Sequence, residues 1–156
     1  MRLLVTGSIA VDYLMSFPGC FQEHILPDRL DSLSVSFLAD RMRRGFGGVG
    51  GNIAYTLALL GERPLLVGAV GQDFGEYRAW LESRGVDTSA VLVKDDDFTA
   101  SFFVTTDTAG NQIASFYVGA MSFADEISLA SLGVTSEDIV VVSPDKHLGG
   151  LTSGGL

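Results

Sequence analysis

The chain has 156 residues, 47% of them hydrophobic, with a mean hydropathy of +0.33, which is enough apolar material for one globular domain and too much for a disordered segment. A net charge of −9 and a pI near 4.4 argue against nucleic-acid phosphates or anionic membrane surfaces as partners, since both require a cationic face. Cys20 is the only cysteine, so no intrachain disulfide can form, and with His24 and His147 it makes a poor zinc set; a reducing, cytoplasmic setting is expected.

Arg2 ahead of a short apolar run imitates the start of a signal peptide, but the run is punctuated by Gly7 and ends at Asp12. No stretch of about 18 apolar residues follows, so no membrane span is expected. Leu3 to Thr6, stopped by Gly7, predicts a strand buried on both faces of a parallel sheet. From about Leu14 to Leu38 the pattern changes, and Leu33, Val35 and Phe37 alternate with Ser34 and Ser36 as in a half-exposed strand. Arg41, Arg43 and Arg44 form the one local cationic cluster, read either as a solvated face or as a surface for an anionic ligand. LADRMRR, which contains them, makes a poor buried strand.

Residues 45–54 read GFGGVGGNIA, with five glycines in seven positions. A helix is predicted from about Asn52 to Leu60, with Ile53, Leu57 and Leu60 on one stripe, Gly61 at its end and Pro64 beyond. Then come a buried strand at Leu65 to Val70, a helix near Gly75 to Arg84 closed by Gly85, and a short strand around Val91. Thr99 to Thr106 and Gln112 to Val118 are rich in Phe, Val, Thr and Tyr and flank DTAGN, which predicts a hairpin. A helix near Ala124 to Leu132 and a buried strand at Ile139 to Val142 complete the map.

The fold class is therefore a layered α/β body with an antiparallel appendage built from pieces near 14–18, 33–38, 99–106 and 112–118. The Gly/Leu-rich residues 146–156 read as an unstructured end. Because a buried last strand needs further elements to cover its far side, the chain is expected to be cut short.

Gly45, Gly47 and Gly50 satisfy G-x-G-x-x-G, but the dinucleotide fingerprint also needs a buried strand before the first glycine and an acid about 20 residues on. Here the following strand ends in Val70-Gly71-Gln72. A phosphate loop fails as well, because Gly51 and Asn52 stand where Lys and Ser or Thr are required. Two readings remain for the glycines: close packing of a turn and helix, or bare backbone for a ligand. Asn52 is either an ordinary N-cap or, with two donors and an acceptor beside exposed amides, a ligand for a polyhydroxy compound. Asp12, after the first buried strand, is either a turn acid or a carboxylate accepting from neighbouring hydroxyls where α/β sheets place their ligands. Phe102 and Phe116, on the two strands of the hairpin, either pack the sheet or present rings to a flat base.

GSIAVD near the start, GFGGVGGNIAYTLALLG, GVDTS at 85–89 and FTASFFVTTDTAGNQIASFYVGAM together resemble the PfkB/ribokinase family of sugar and nucleoside kinases, over residues 1 to about 145. DYLMSFPG, SVSFLAD and IASFYVGAM are most similar to the bacterial adenosine kinases of the actinobacterial type. The resemblance implies a ribokinase-like α/β sandwich with a small β lid. It implies that Asp12 holds the ribose hydroxyls, that Gly47, Gly48 and Asn52 complete the sugar grip with help from Ser8 and Ser36, and that Phe102 and Phe116 sandwich the purine. A lid suits such chemistry by excluding water from the activated phosphoryl group, and in related enzymes it also forms a homodimer contact.

The family's anion hole, general base and the groups that organise ATP and Mg2+ belong to a second half with no counterpart here. Asp145, in the SPD turn where the likeness ends, is not that base, and no catalytic residue or metal ligand is assigned. Smaller departures are Val118, where relatives often have Pro, and Gly50, where they often have Ala. The expected function is the acceptor-binding portion of an ATP-dependent adenosine or related nucleoside kinase acting on the ribose 5′-hydroxyl, not active alone. The alternatives are a free-sugar kinase of the ribokinase type and a non-catalytic nucleoside-binding or dimerising module.

Overall fold

A computed structural model describes residues 1–25 and 34–145. In chain order its strands are β1 (Leu3–Thr6), β2 (Ala10–Ser16), β3 (Arg41–Gly47), β4 (Leu65–Gly71), β5 (Asp87–Lys94), β6 (Ala100–Thr106), β7 (Gln112–Tyr117) and β8 (Ile139–Val142). Two helices, α1 (Val49–Leu59) and α2 (Gly75–Ser83), lie before and after β4. One sheet has the order β5-β4-β1-β8 and the other β3-β2-β6-β7. The described residues divide into two compact units, 1–11 with 46–101 and 117–145, and 12–25 with 34–45 and 102–116.

In the first unit every strand pair is parallel, with Leu4 level with Leu65 on one side and with Val140 on the other. The uninterrupted apolar runs of β1 and β4 are what parallel strands require, because helices cover their faces. Val5, Ile9, Ala54, Leu66, Val70, Phe74, Tyr77 and Leu81 form the core between sheet and helices, each nearly or wholly buried. β8 departs from the expectation of a buried strand. It is the outer strand of this sheet among the described residues, and Ile139 and Val142 are about half exposed, at 50% and 49%. Its register is pinned instead by Arg2, whose backbone N–H and guanidinium donate to Asp138 at 2.7 Å and whose guanidinium also reaches the Leu132 and Gly133 carbonyls. The Arg2 bonds hold the Asp138 carboxyl well below the usual carboxylate range.

Three expected elements are corrected. α1 begins at Val49, three residues ahead of Asn52, because Gly48 is the residue that turns into it. The helix expected near Ala124 to Leu132 is two 3-10 segments, Gly119–Glu126 and Ala130–Leu132. There Ser122 and Ser131 hydroxyls donate to the carbonyls of Gly119 and Ser128, three residues back, which competes with α-helical bonding. Residues 34–38 form no strand; the paired strand is the arginine-bearing β3, whose first four residues are exposed, so that it needed no apolar run.

The alternation at 34–38 has another cause, within the second unit. Phe37 packs on Phe21 and Phe17, at centroid distances of 4.6 and 5.1 Å, while Ser34, Ser36 and Leu38 face solvent. Leu33 lies outside the described residues. The predicted hairpin is present as β6 and β7, and Asp107 closes it. Its carboxylate accepts from the amides of Ala109 and Asn111, the Asn111 side chain and the amide of Phe21, at 2.7 to 3.0 Å. Burial pushes this carboxyl up, but those four bonds outweigh it and hold the pKa down at about 2.

Candidate functional site

In the first unit the site residues gather where the β1–β2 connection meets the start of α1. Gly7 ends the apolar run, and the chain turns through Ser8 and Ile9 into β2. Gly48 sits against this turn with φ of +85° and ψ of 140°; a Cβ there would lie 2.5 Å from the Ser8 carbonyl oxygen and 2.7 Å from Ala10 N and Ile9 Cα. Only glycine tolerates both that backbone conformation and that approach.

Ser8 caps α1 from a distance in sequence. Its Oγ accepts from the Val49 amide at 2.8 Å and its carbonyl from the Gly51 amide at 3.2 Å, while its own N–H donates to Pro144 O at 3.1 Å. The first amides of any helix need such partners. No hydrogen bond to the Gly48 N–H or to the Asn52 side chain occurs among the described residues. Asn52 is not the N-cap: it lies within the first turn, exposed, with its own amide donating to Gly48 O at 2.9 Å. Gly47 is buried, and its carbonyl accepts from the Tyr77 hydroxyl at 3.0 Å.

In the second unit the sheet sets the positions of Asp12, Phe102 and Phe116. Tyr13 on β2 stacks on Phe103 of the adjacent β6, with centroids 4.7 Å apart and planes 7° from parallel. Successive strand residues point to opposite faces, so Asp12 and Phe102 share the other face. The Gln112 side chain donates to the Thr106 hydroxyl at 3.3 Å, which puts these two on one face, and stepping back by twos along β6 and forward by twos along β7 brings Phe102 and Phe116 to that face as well. Phe116 is 49% exposed and Phe102 half-buried. Burial pushes the Asp12 carboxyl up from the ordinary aspartate range. Ser36 is exposed in the segment that carries no strand.

The two groups differ in what they offer a ligand. Gly48 presents a backbone N–H and Asn52 a side-chain amide with no partner among the described residues, while Ser8 and Gly47 are engaged in holding the loop; Asp12, Phe102 and Phe116 present a carboxylate beside two aromatic rings, one of them open to solvent. No cluster of three His, Cys, Asp or Glu side chains suited to a metal ion occurs among the described residues. No helix there is long and apolar enough to cross a membrane.

The sequence model of the pfkB family carbohydrate kinases matches residues 9–148. The chain belongs to that family. Its fold is ribokinase-like, with one parallel and one mixed sheet. A nucleoside kinase of Methanothermobacter thermautotrophicus is 38% identical over 123 residues, 78% of this chain and 37% of the relative. The structure of a Burkholderia thailandensis nucleoside kinase in complex with inosine superposes with a TM-score of 0.73 at 37% identity, covering 96% of this chain and 47% of that one. A ribokinase from Cryptococcus neoformans reaches a TM-score of 0.64 at 26% identity over 76% of this chain. The pfkB chain therefore spans less than half the length of the two nucleoside kinases it matches.

Sequence reasoning missed Tyr77 and Asp107. Tyr77 shares a nine-residue helix with Trp80 and Leu81, where one more aromatic reads as core, and only its hydroxyl distinguishes it. Asp107 carried a signal in DTAGN, but the bond to Phe21 spans 86 residues of sequence.

Proposed function

We propose that this pfkB-family chain is the acceptor-binding part of a nucleoside kinase that transfers the γ-phosphoryl group of ATP to the ribose 5′-hydroxyl of adenosine or a related purine nucleoside. The observation that carries this reading is the common face of Asp12, Phe102 and Phe116. A carboxylate accepts from the paired hydroxyls of a ribose, and two rings on neighbouring strands suit a flat base. The relatives' description as nucleoside kinases, and the inosine bound to one of them, support it.

In the proposed complex the Asp12 carboxylate accepts from the ribose 2′- and 3′-hydroxyls, and Asn52 with the Gly48 N–H contacts the remaining sugar oxygens. The exposed second sheet serves as the lid and as a homodimer contact, and Cys20 is kept reduced in the cytoplasm. ATP and Mg2+ are the co-substrate and its ion. The residues named above are assigned to the acceptor, and none of them to ATP or its ion. They bind and orient the acceptor, which is the share of phosphoryl-transfer catalysis that lies in positioning.

Calorimetric titration of the chain with adenosine, inosine, ribose and ATP tests the reading. Nucleoside binding that weakens by about 10- to 100-fold in Asp12→Asn is expected, because the amide keeps one acceptor and loses the other together with the charge. Binding of ribose with no binding of either nucleoside would refute it in favour of a free-sugar kinase.

A further inference from the structure

A buried phenol on α2 stands directly beneath the glycine loop. Tyr77 is 1% exposed, and its ring lies flat against Phe46, centroids 4.3 Å apart and planes 4° from parallel. Its hydroxyl donates to Gly47 O at 3.0 Å. Four residues further on, a Cβ at Gly51 would come within 2.3 Å of the same hydroxyl oxygen. The phenol thus touches the loop on both sides of Gly48: at Phe46 and Gly47 before it, and in the space left open by Gly51 after it.

Packing alone does not account for the hydroxyl. A phenylalanine would fill the same core, among Val5, Ala54, Phe74 and Leu81, without burying a polar atom that needs a partner. The partner it has found matters because of peptide geometry. The peptide bonds of the described residues are trans, and in a trans peptide the carbonyl of one residue and the N–H of the next point in opposite directions. Fixing Gly47 C=O toward Tyr77 therefore turns the Gly48 N–H away from the core. That is the amide with no hydrogen bond among the described residues.

We propose that Tyr77 is a positioning residue for acceptor binding: its hydroxyl locks the Gly47–Gly48 peptide so that the Gly48 N–H is presented to the nucleoside. The proposal rests on the function proposed above for the glycine loop, and its test separates the two. Gly48 itself supplies no side chain to hold it, and its φ of +85° lies in a region where glycine moves freely between conformations. An external lock is what such a residue lacks.

The test compares the chain with Tyr77→Phe, which keeps the ring and removes the hydroxyl, and with Val91→Ala, a core truncation in β5, outside both the glycine loop and α2. Backbone 15N relaxation is read at Gly47, Gly48 and Gly51, and adenosine and inosine affinities are read by calorimetry. In Tyr77→Phe the order parameters at Gly47 and Gly48 fall from about 0.85 toward 0.6, and nucleoside affinity weakens by about 5- to 10-fold, the net worth of one hydrogen bond. Val91→Ala melts at a lower temperature but keeps both the loop order and the affinity. Loop order and affinity unchanged in Tyr77→Phe, or lost equally in Val91→Ala, would overturn the proposal. If the unaltered chain binds no nucleoside, the functional reading fails, and the relaxation comparison alone then decides whether Tyr77 orders the loop.

Discussion

Replacing Gly48 by alanine isolates the contribution of close backbone packing at the glycine loop. The residue's φ of +85° and ψ of 140° cost a side-chain-bearing residue roughly 1–3 kcal/mol. The new Cβ would also stand 2.5 to 2.7 Å from three main-chain atoms, Ser8 O, Ala10 N and Ile9 Cα, none of which can swing aside as a side chain can. Moving backbone to relieve overpacking adds about 1–3 kcal/mol. The sum, about 2–6 kcal/mol, is a large part of the 5–15 kcal/mol that typically holds a domain together. Gly61→Ala is the matched control: its φ is +92°, but no atom lies within 4 Å of the Cβ position, so only the conformational cost of about 1–2 kcal/mol applies. Urea unfolding followed by circular dichroism, with slopes of about 1–3 kcal/mol per molar, resolves such a difference. Equal losses in the two variants would show that the Ser8–Ala10 turn does not confine the loop.

Asp107→Asn loosens the hairpin: the melting temperature falls by several degrees, read by differential scanning calorimetry. Because folding lowers the Asp107 pKa from 3.8 to about 2, its stabilisation is present in full above the ordinary carboxylate range and is lost as pH falls through about 2. Acid titration of the fold is therefore shallower between those values in the variant. Burial raises the Asp12 pKa, so the ionised form that accepts from ribose is lost at a higher pH than for an ordinary aspartate. Calorimetry should find nucleoside affinity weakening from that pH downward, and no such dependence in Asp12→Asn. Phe116→Ala removes a half-exposed ring; purine nucleosides bind about 10- to 100-fold more weakly if it stacks on the base, while any binding of free ribose is unchanged.

The parallel sheet was legible because its strands announce themselves. LLVT and LLVGAVG are continuous apolar runs closed by glycine, and such runs have few other uses in a soluble domain. β3 was not legible, because a strand with four exposed residues places no demand on side-chain character, and backbone pairing with β2 carries no signature in the residue types. The reverse error occurred at 34–38, where true alternation of burial comes from one ring, Phe37, docking in an aromatic cluster. The start of α1 was misplaced for a related reason. Asn52 is the residue type that caps helices, but the cap is supplied by Ser8, 41 residues away from the Val49 amide it accepts. Local sequence cannot report a cap that comes from elsewhere in the chain.

That displaced cap changes what Asn52 can be. As an N-cap its side chain would be spent on the helix, and its conservation of hydrogen-bonding capacity for a ligand would be forfeit. With Ser8 accepting from Val49 N–H and from Gly51 N–H, the helix start is satisfied without it, and the amide group stands exposed with no partner among the described residues. The same division of labour holds in the second sheet, where Tyr13 and Phe103 stack on each other on one face and leave Asp12 and Phe102 on the other. Aromatic packing there does not consume the ring proposed for the base, since the stack uses its neighbour. In both places a structural duty that the sequence suggested for a proposed site residue is carried by another residue, which leaves Asn52, Asp12 and Phe102 free for the proposed ligand.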